Sequence, residues 1–188
     1  MAMLYAVAQA IILYVIVVFV LSRIFVPHFR FWREPLPKRI PRRMQEEIRK
    51  IKQQHRSKRA FAKAAHKFLA KRYSGGHWQL YFRWDLIFTE DLQKLWSRRG
   101  YIPCHQLNWL YRVMLVKSKV FSEDEVRVRT IPLYAIPHQF VQIKVGDEWV
   151  DVDIWARHLG LPFGERVHWY TPTLLLSLQK LFKATSAN

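Results

Sequence analysis

A single cysteine, Cys104, stands among the 188 residues, so no intramolecular disulfide can form and a cysteine-rich metal site is excluded. That scarcity fits a reducing compartment. The eight histidines are scattered and form no ligand-spaced set with the thiol, so no metal is expected. Glycine is also sparse, at six residues, and none of them builds a phosphate-cradling loop, so no cofactor is expected. Acidic residues number 14 against 31 Lys and Arg, a net charge of +17 that favours acidic partners over neutral ones. No internal repeat is visible. No Lys or Arg precedes Arg23.

That last absence frames the N-terminal segment. From Met1 to Leu21 the strongly polar residue is Gln9, and Tyr5 and Tyr14 are the other polar breaks. At 1.5 Å per residue these positions make about 31 Å of helix, matching a hydrocarbon core of roughly 30 Å. A cleaved signal peptide normally opens with a basic region and closes with a small-x-small site, and neither pattern is present. Residues 1–25 are therefore expected to be a single-pass transmembrane anchor. By the positive-inside rule the basic flank that follows, Arg23 and Arg30, is expected to hold the body in the cytoplasm, the alternative being a body that faces outward.

The excess charge is concentrated beside that anchor. Residues 22–73 hold 17 Lys or Arg against three acids, whereas residues 74–188 hold 14 against 11. Between Arg42 and Tyr73, Met44, Ile48, Ile51, Phe61, Ala65, Phe68 and Leu69 recur at near-helical spacing, which predicts one or two basic amphipathic helices interrupted near His55–Ser57. A juxtamembrane polybasic segment attracts anionic lipid by about 1 kcal/mol per residue close to the surface, so membrane contact is its expected role. Nucleic acid is not favoured, because aromatic residues do not interleave with the charge.

The composition shifts at Tyr73-Ser-Gly-Gly76, the expected boundary between a juxtamembrane segment (26–73) and a compact domain (74–188). Thr89 reads as the cap of a helix ending near Gly100. Pro103-Cys104 opens an apolar run of helical period through Leu107, Leu110, Tyr111 and Met114. Proline suits a first turn, which places the sulfur among unpaired N–H groups at the positive end of a helix. Val126–Ile131 alternates as a strand. His138-Gln-Phe-Val-Gln-Ile-Lys-Val then runs into Gly146-Asp147 and Glu-Trp-Val-Asp-Val-Asp153, a hairpin pattern. Thr171-Pro172 opens a final helix over Leu174–Lys183.

A two-residue Gly146-Asp147 loop sets Val145 opposite Glu148. His138 and Asp153 then share a face as diagonal neighbours, roughly 7–8 Å apart at the backbone, within reach of a carboxylate–imidazole hydrogen bond. Asp151 shares the face but lies further along, and stands as the reserve. A three-residue loop breaks this pairing, because a one-residue slip turns every side chain to the opposite face.

Those residues resemble the transglutaminase-like superfamily of papain-like thiol enzymes, over about residues 78–156. The resemblance rests on Gly100-Tyr-Ile-Pro-Cys104 opening a helix, on His138-Gln-Phe, and on Trp149-Val-Asp-Val-Asp153. It departs from the family pattern in the distance from Gly100 to the cysteine, in Ser118–Glu125 after the helix, and in Ile154 where a proline is common. The resemblance implies an α+β fold with the cysteine-opened helix packed on an antiparallel sheet. It implies Cys104 as nucleophile, His138 as base and Asp153 as orienting carboxylate, acting on protein or peptide amides by hydrolysis, deamidation or acyl transfer. The Cys104 N–H is expected in an oxyanion hole, with Trp78 or Gln79 as side-chain donors. His105 is expected to point away from the thiol as a structural residue. The alternative is a non-catalytic, membrane-tethered basic scaffold for anionic lipid, nucleic acid or a protein partner.

Overall fold

The computed structural model of the chain describes residues 1–76, 79, 82–133 and 136–168. Trp78 and the helix expected over Leu174–Lys183 lie outside these residues. The architecture is α+β, with an apolar helix at its N-terminus.

That first helix runs through α-helical Ala2–Val15, a π-helical stretch Ile16–Leu21 and α-helical Ser22–Phe25. Over Met3–Phe25 it is long and apolar enough to cross a membrane. It ends because Val26 precedes Pro27: the ring disfavours helical backbone at the preceding residue, and Val26 is extended at φ −82° and ψ 120°. The π-helical stretch packs against the strand Ile136–Val145.

Two basic helices follow, Arg42–Gln54 and Lys58–Arg72, with the break where the sequence predicts it. Ser57 caps the second, its side chain accepting from the Ala60 N–H at 3.2 Å. Their apolar stripes, Met44, Ile48 and Ile51 on one and Phe61, Ala65 and Leu69 on the other, are buried in the same hydrophobic core as the residues after 74. The division expected at residues 73 and 74 is thus not a division of the core.

The helix expected behind Thr89 is Leu92–Ser97, and its cap is Asp91 instead. The Asp91 carboxylate accepts from the N–H groups of Gln93 (2.7 Å) and Lys94 (3.1 Å), two of the donors a helix start leaves unpaired. The Thr89 hydroxyl serves the preceding short helix, Trp84–Ile87, by donating to the Asp85 carbonyl at 2.7 Å.

Helix Cys104–Lys117 is the centre of the fold, buried on every side from His105 to Leu115. It packs against helix Lys58–Arg72 and against a three-stranded antiparallel sheet. Its polar residues are tied to the backbone of surrounding elements. The Asn108 amide donates to the Gln139 carbonyl at 2.6 Å, and the Tyr111 hydroxyl to the Ala62 carbonyl at 3.0 Å. Such bonds offset the cost of burying polar groups and fix the helix in rotation. The helix start is held by a short parallel pair, β1 (Tyr73–Ser74) with β2 (Gly100–Tyr101).

The sheet comprises β3 (Val126–Leu133), β4 (Ile136–Val145) and β5 (Glu148–Val152), in that order. Val145 pairs with Glu148 and Gln142 with Asp151, the register expected of a two-residue loop. Gly146 carries the positive φ that such a loop requires, +65°. Strand β5 ends one residue earlier than expected, so Asp153 sits in the turn leading to the 3₁₀ helix Trp155–Leu159.

Candidate active site

Three elements meet at Cys104. The cysteine is the first residue of its helix, following Pro103. Its backbone N–H is among the first-turn donors that lack an intrahelical acceptor. The sulfur is half-buried and faces a cavity. His138 projects from β4 into the same cavity as the sulfur, near enough for its ring to act on the thiol. On its other side, His138 Nε2 lies 2.7 Å from Asp153 Oδ2, which leaves Nδ1 as the ring nitrogen for the thiol. The residues nominated as a triad are thus brought together.

Asp153 has no exposed surface. Besides His138, its carboxylate accepts from the Ala156 N–H (3.1 Å) and the Val167 N–H (3.3 Å), so both oxygens are partnered. The turn position explains this: beyond the end of β5 the carboxylate meets N–H groups that a sheet would have used. Trp155 closes the back of the site, its ring 5.0 Å from that of His138. Asp151, the reserve, is engaged elsewhere, with Arg166 Nε at 2.7 Å and the Gln142 amide at 2.6 Å.

Electrostatics follow from this geometry. Burial pushes the Cys104 thiol up, but hydrogen bonds to His105 and His138, and the charge of His138, outweigh it and bring the thiol down to about 6. Burial pushes His138 down, but the Asp153 charge and hydrogen bond, followed by those of the thiol, raise it to about 10. Both shifts favour the charged form of their group, so the arrangement favours a thiolate–imidazolium pair, the form in which sulfur is nucleophilic.

His105 departs from expectation. Its Nε2 lies 3.2 Å from the Ile87 carbonyl, and the ring is held beside the sulfur instead of pointing away. The Ile87 carbonyl accounts for this, since it accepts from the ring on the side of the cavity that Cys104 also lines. Tyr101 also borders the thiol, and burial with the adjacent sulfur charge pushes its phenol up. Tyr101 carried no expectation of its own from the sequence; the spacing Tyr101-x-x-Cys104 was the available signal. Gln79 is exposed and does not line the cavity.

The cavity in front of Cys104 has a volume of about 410 Å³. Its walls come from the cysteine helix, from Leu133, Ile136 and Pro137 of the sheet, and from Val17, Val18, Leu21 and Phe25 of the N-terminal helix. A second cavity, about 210 Å³, is lined by Arg23, Arg30, Arg33, Arg112 and Arg127 with His28 and Trp109. His28 stacks on Trp109 at 3.9 Å and pairs through Nδ1 with Glu34 at 2.6 Å. Arg23 Nε, Arg30 Nε, His28 Nε2 and Trp109 Nε1 are buried there without a hydrogen-bond partner.

Among the described residues no group of histidine, cysteine and acids is arranged to hold a metal ion. No family model, no curated protein and no solved structure matches the chain.

Proposed function

We propose that this protein is a membrane-anchored thiol enzyme of transglutaminase-like, papain-like type, using Cys104 as nucleophile, His138 as acid–base and Asp153 as orienting carboxylate. The observation that carries the reading is the His138 ring held between the Asp153 carboxylate, at 2.7 Å, and a sulfur at a helix start. The thiolate attacks an amide or ester carbonyl, and the Cys104 N–H stabilises the oxyanion. The imidazolium then protonates the leaving group, after which water or an amine resolves the thioester. Protein and peptide amides are the substrates that the family resemblance implies. The apolar N-terminal helix spans the membrane once in this reading, and the basic residues after it hold the body at the cytoplasmic face.

Mass spectrometry of the full chain mixed with p-nitrophenyl acetate tests the assignment. One acetyl thioester per chain, on Cys104, is expected, with release of a stoichiometric burst of nitrophenolate. Absence of the thioester in the wild-type chain would refute it.

The arginine-lined cavity favours a second reading, a non-catalytic scaffold that holds an anionic headgroup. Its buried donors lack partners, and an anion supplies acceptors for several guanidinium groups at once. Saturable binding of inorganic phosphate, abolished by Arg112→Gln in a chain whose Cys104 forms no thioester, would select that reading.

A further inference from the structure

We infer that the acyl group Cys104 accepts is the long hydrocarbon chain of a membrane lipid ester, entering the site from the bilayer. This rests on the thiol-enzyme reading above and adds the substrate class. The cavity that Cys104 and His138 face is bounded on one side by Val17, Val18, Leu21 and Phe25 of the apolar helix. In the spanning orientation Val17 lies about 12 Å along the axis from Phe25, at 1.5 Å per residue, inside the hydrocarbon layer. The wall of the active site is therefore at lipid depth. Its mouth carries Phe25, Trp84 and Phe88, exposed by 65%, 64% and 54%. Aromatic side chains left open in that way belong at the level of lipid headgroups.

The chemistry of the walls separates an acyl chain from a peptide. Each peptide residue brings an N–H and a C=O that must find partners once buried. Apart from the reacting groups and their neighbours His105 and Tyr101, the lining is aliphatic and aromatic, and Ser22 spends its hydroxyl on the Val18 carbonyl. A polymethylene chain asks for no partner, and the volume of about 410 Å³ falls within the roughly 300–1,000 Å³ of small-molecule sites. The chain lies along the helix and its carbonyl reaches the sulfur at the inner end.

The step balances with the groups present. A bond forms between the Cys104 sulfur and the acyl carbon while the bond from that carbon to the glycerol oxygen breaks. The His138 imidazolium gives its proton to the departing alkoxide, leaving a lyso-lipid alcohol. Water then adds to the thioester, giving one proton to His138 and keeping the other on the acyl oxygen; the carbon–sulfur bond breaks to restore the thiolate, and the fatty acid leaves and gives its proton to bulk water.

The test compares acetyl, octanoyl and palmitoyl p-nitrophenyl esters on the full chain in detergent micelles, with Cys104→Ala as background, and palmitoyl phosphatidylglycerol vesicles as the lipid probe. Palmitoyl thioester on Cys104 is expected to form at least about 10-fold faster than acetyl thioester, as chain burial in an apolar site dictates. Fatty acid and lyso-lipid are expected from the vesicles. Val18→Trp, which fills the cavity, should lower the palmitoyl-to-acetyl ratio about 10-fold. A ratio near one or below in the wild-type chain, or faster turnover of a peptide amide, overturns the lipid inference and leaves the thiol assignment standing. Failure of every ester to acylate Cys104 overturns both.

Discussion

The alkylation profile of Cys104 offers a quantitative test of the thiolate–imidazolium pair. Removing His138 as His138→Ala strips the sulfur of a hydrogen bond and a positive charge while its burial, which pushes the thiol up, remains. Returning the thiol from about 6 to its ordinary 9.0 lowers the thiolate fraction at pH 7 from about nine-tenths to about one-hundredth. The more basic thiolate is intrinsically more nucleophilic, however, by about 16- to 32-fold over three pH units at a Brønsted slope of 0.4–0.5. The net loss at pH 7 is thus only about 3- to 6-fold, small enough to be mistaken for a steric effect. At pH 5 the thiolate fractions differ by about 900-fold and the net loss grows to about 30- to 60-fold. The measurement is therefore the rate of iodoacetamide alkylation between pH 4 and 10, read by intact mass. The wild-type midpoint is expected near 6, and that of His138→Ala well above it, held back only by His105. Superimposable profiles for the two chains would refute the coupling, whatever the absolute rates.

Asp153→Ala leaves His138 Nε2 and the Ala156 and Val167 N–H groups buried without their acceptor, and should cost roughly 3–5 kcal/mol in denaturant unfolding. Met44→Ala should cost about 2–5 kcal/mol in the same assay, since Met44 is wholly buried; a cost below that range would mean the basic helices do not share the core. Asp91→Ala should cost about 0.5–2 kcal/mol through loss of two capping bonds, more than Ala at Thr89. The pair also leaves a signature in stability against pH. His138, raised to about 10, contributes stability present below 6.5 and lost as pH rises through 10, whereas Cys104, lowered to about 6, contributes stability present above 9.0 and lost as pH falls through 6. Between 6.5 and 9.0 folded and unfolded pairs hold the same number of protons, so stability is flat there. Cys104→Ser uncovers the His138 half alone, because Asp153 still raises it, and stability should then fall by about 1.4 kcal/mol per pH unit above the unfolded value.

What the sequence discloses here follows from how local each feature is. The hairpin register needed only a two-residue Gly-Asp turn and an alternation of side chains, and it put His138 and Asp153 on one face before any coordinates. The position of Cys104 needed only the proline before it. The cap at Asp91 was missed because Thr89, Glu90 and Asp91 all precede the apolar run, and the geometry of the preceding turn decides which oxygen is free. His105 was misjudged because the carbonyl that holds its ring belongs to Ile87, in a separate helix that no local pattern connects to it. The basic helices were read as a membrane surface because charge dominates their composition, while the stripe of Met44, Ile48 and Ile51 was enough to place them in the core.

The cavity lay beyond sequence reasoning for a different reason. Its walls come from residues 17–29, 76, 84–88, 101–105, 133, 136–138 and 155, and no periodicity connects segments that far apart. Hydrophobicity of the first helix is fully explained by a bilayer, so nothing in its composition signals that one face also borders a thiol. Yet the two roles constrain each other. A helix that served only as a tether would be free to lie anywhere relative to the body, and its π-helical stretch would gain nothing by packing on β4. π-helical turns frequently accompany functional sites, since the extra residue re-aims side chains on one face. Here that face carries Val17, Val18 and Leu21 towards the sulfur. The N-terminal helix is therefore a wall of the cavity at Cys104, and under the proposed function its exchange for an unrelated apolar helix should keep the protein at the membrane while altering which acyl chains reach the sulfur.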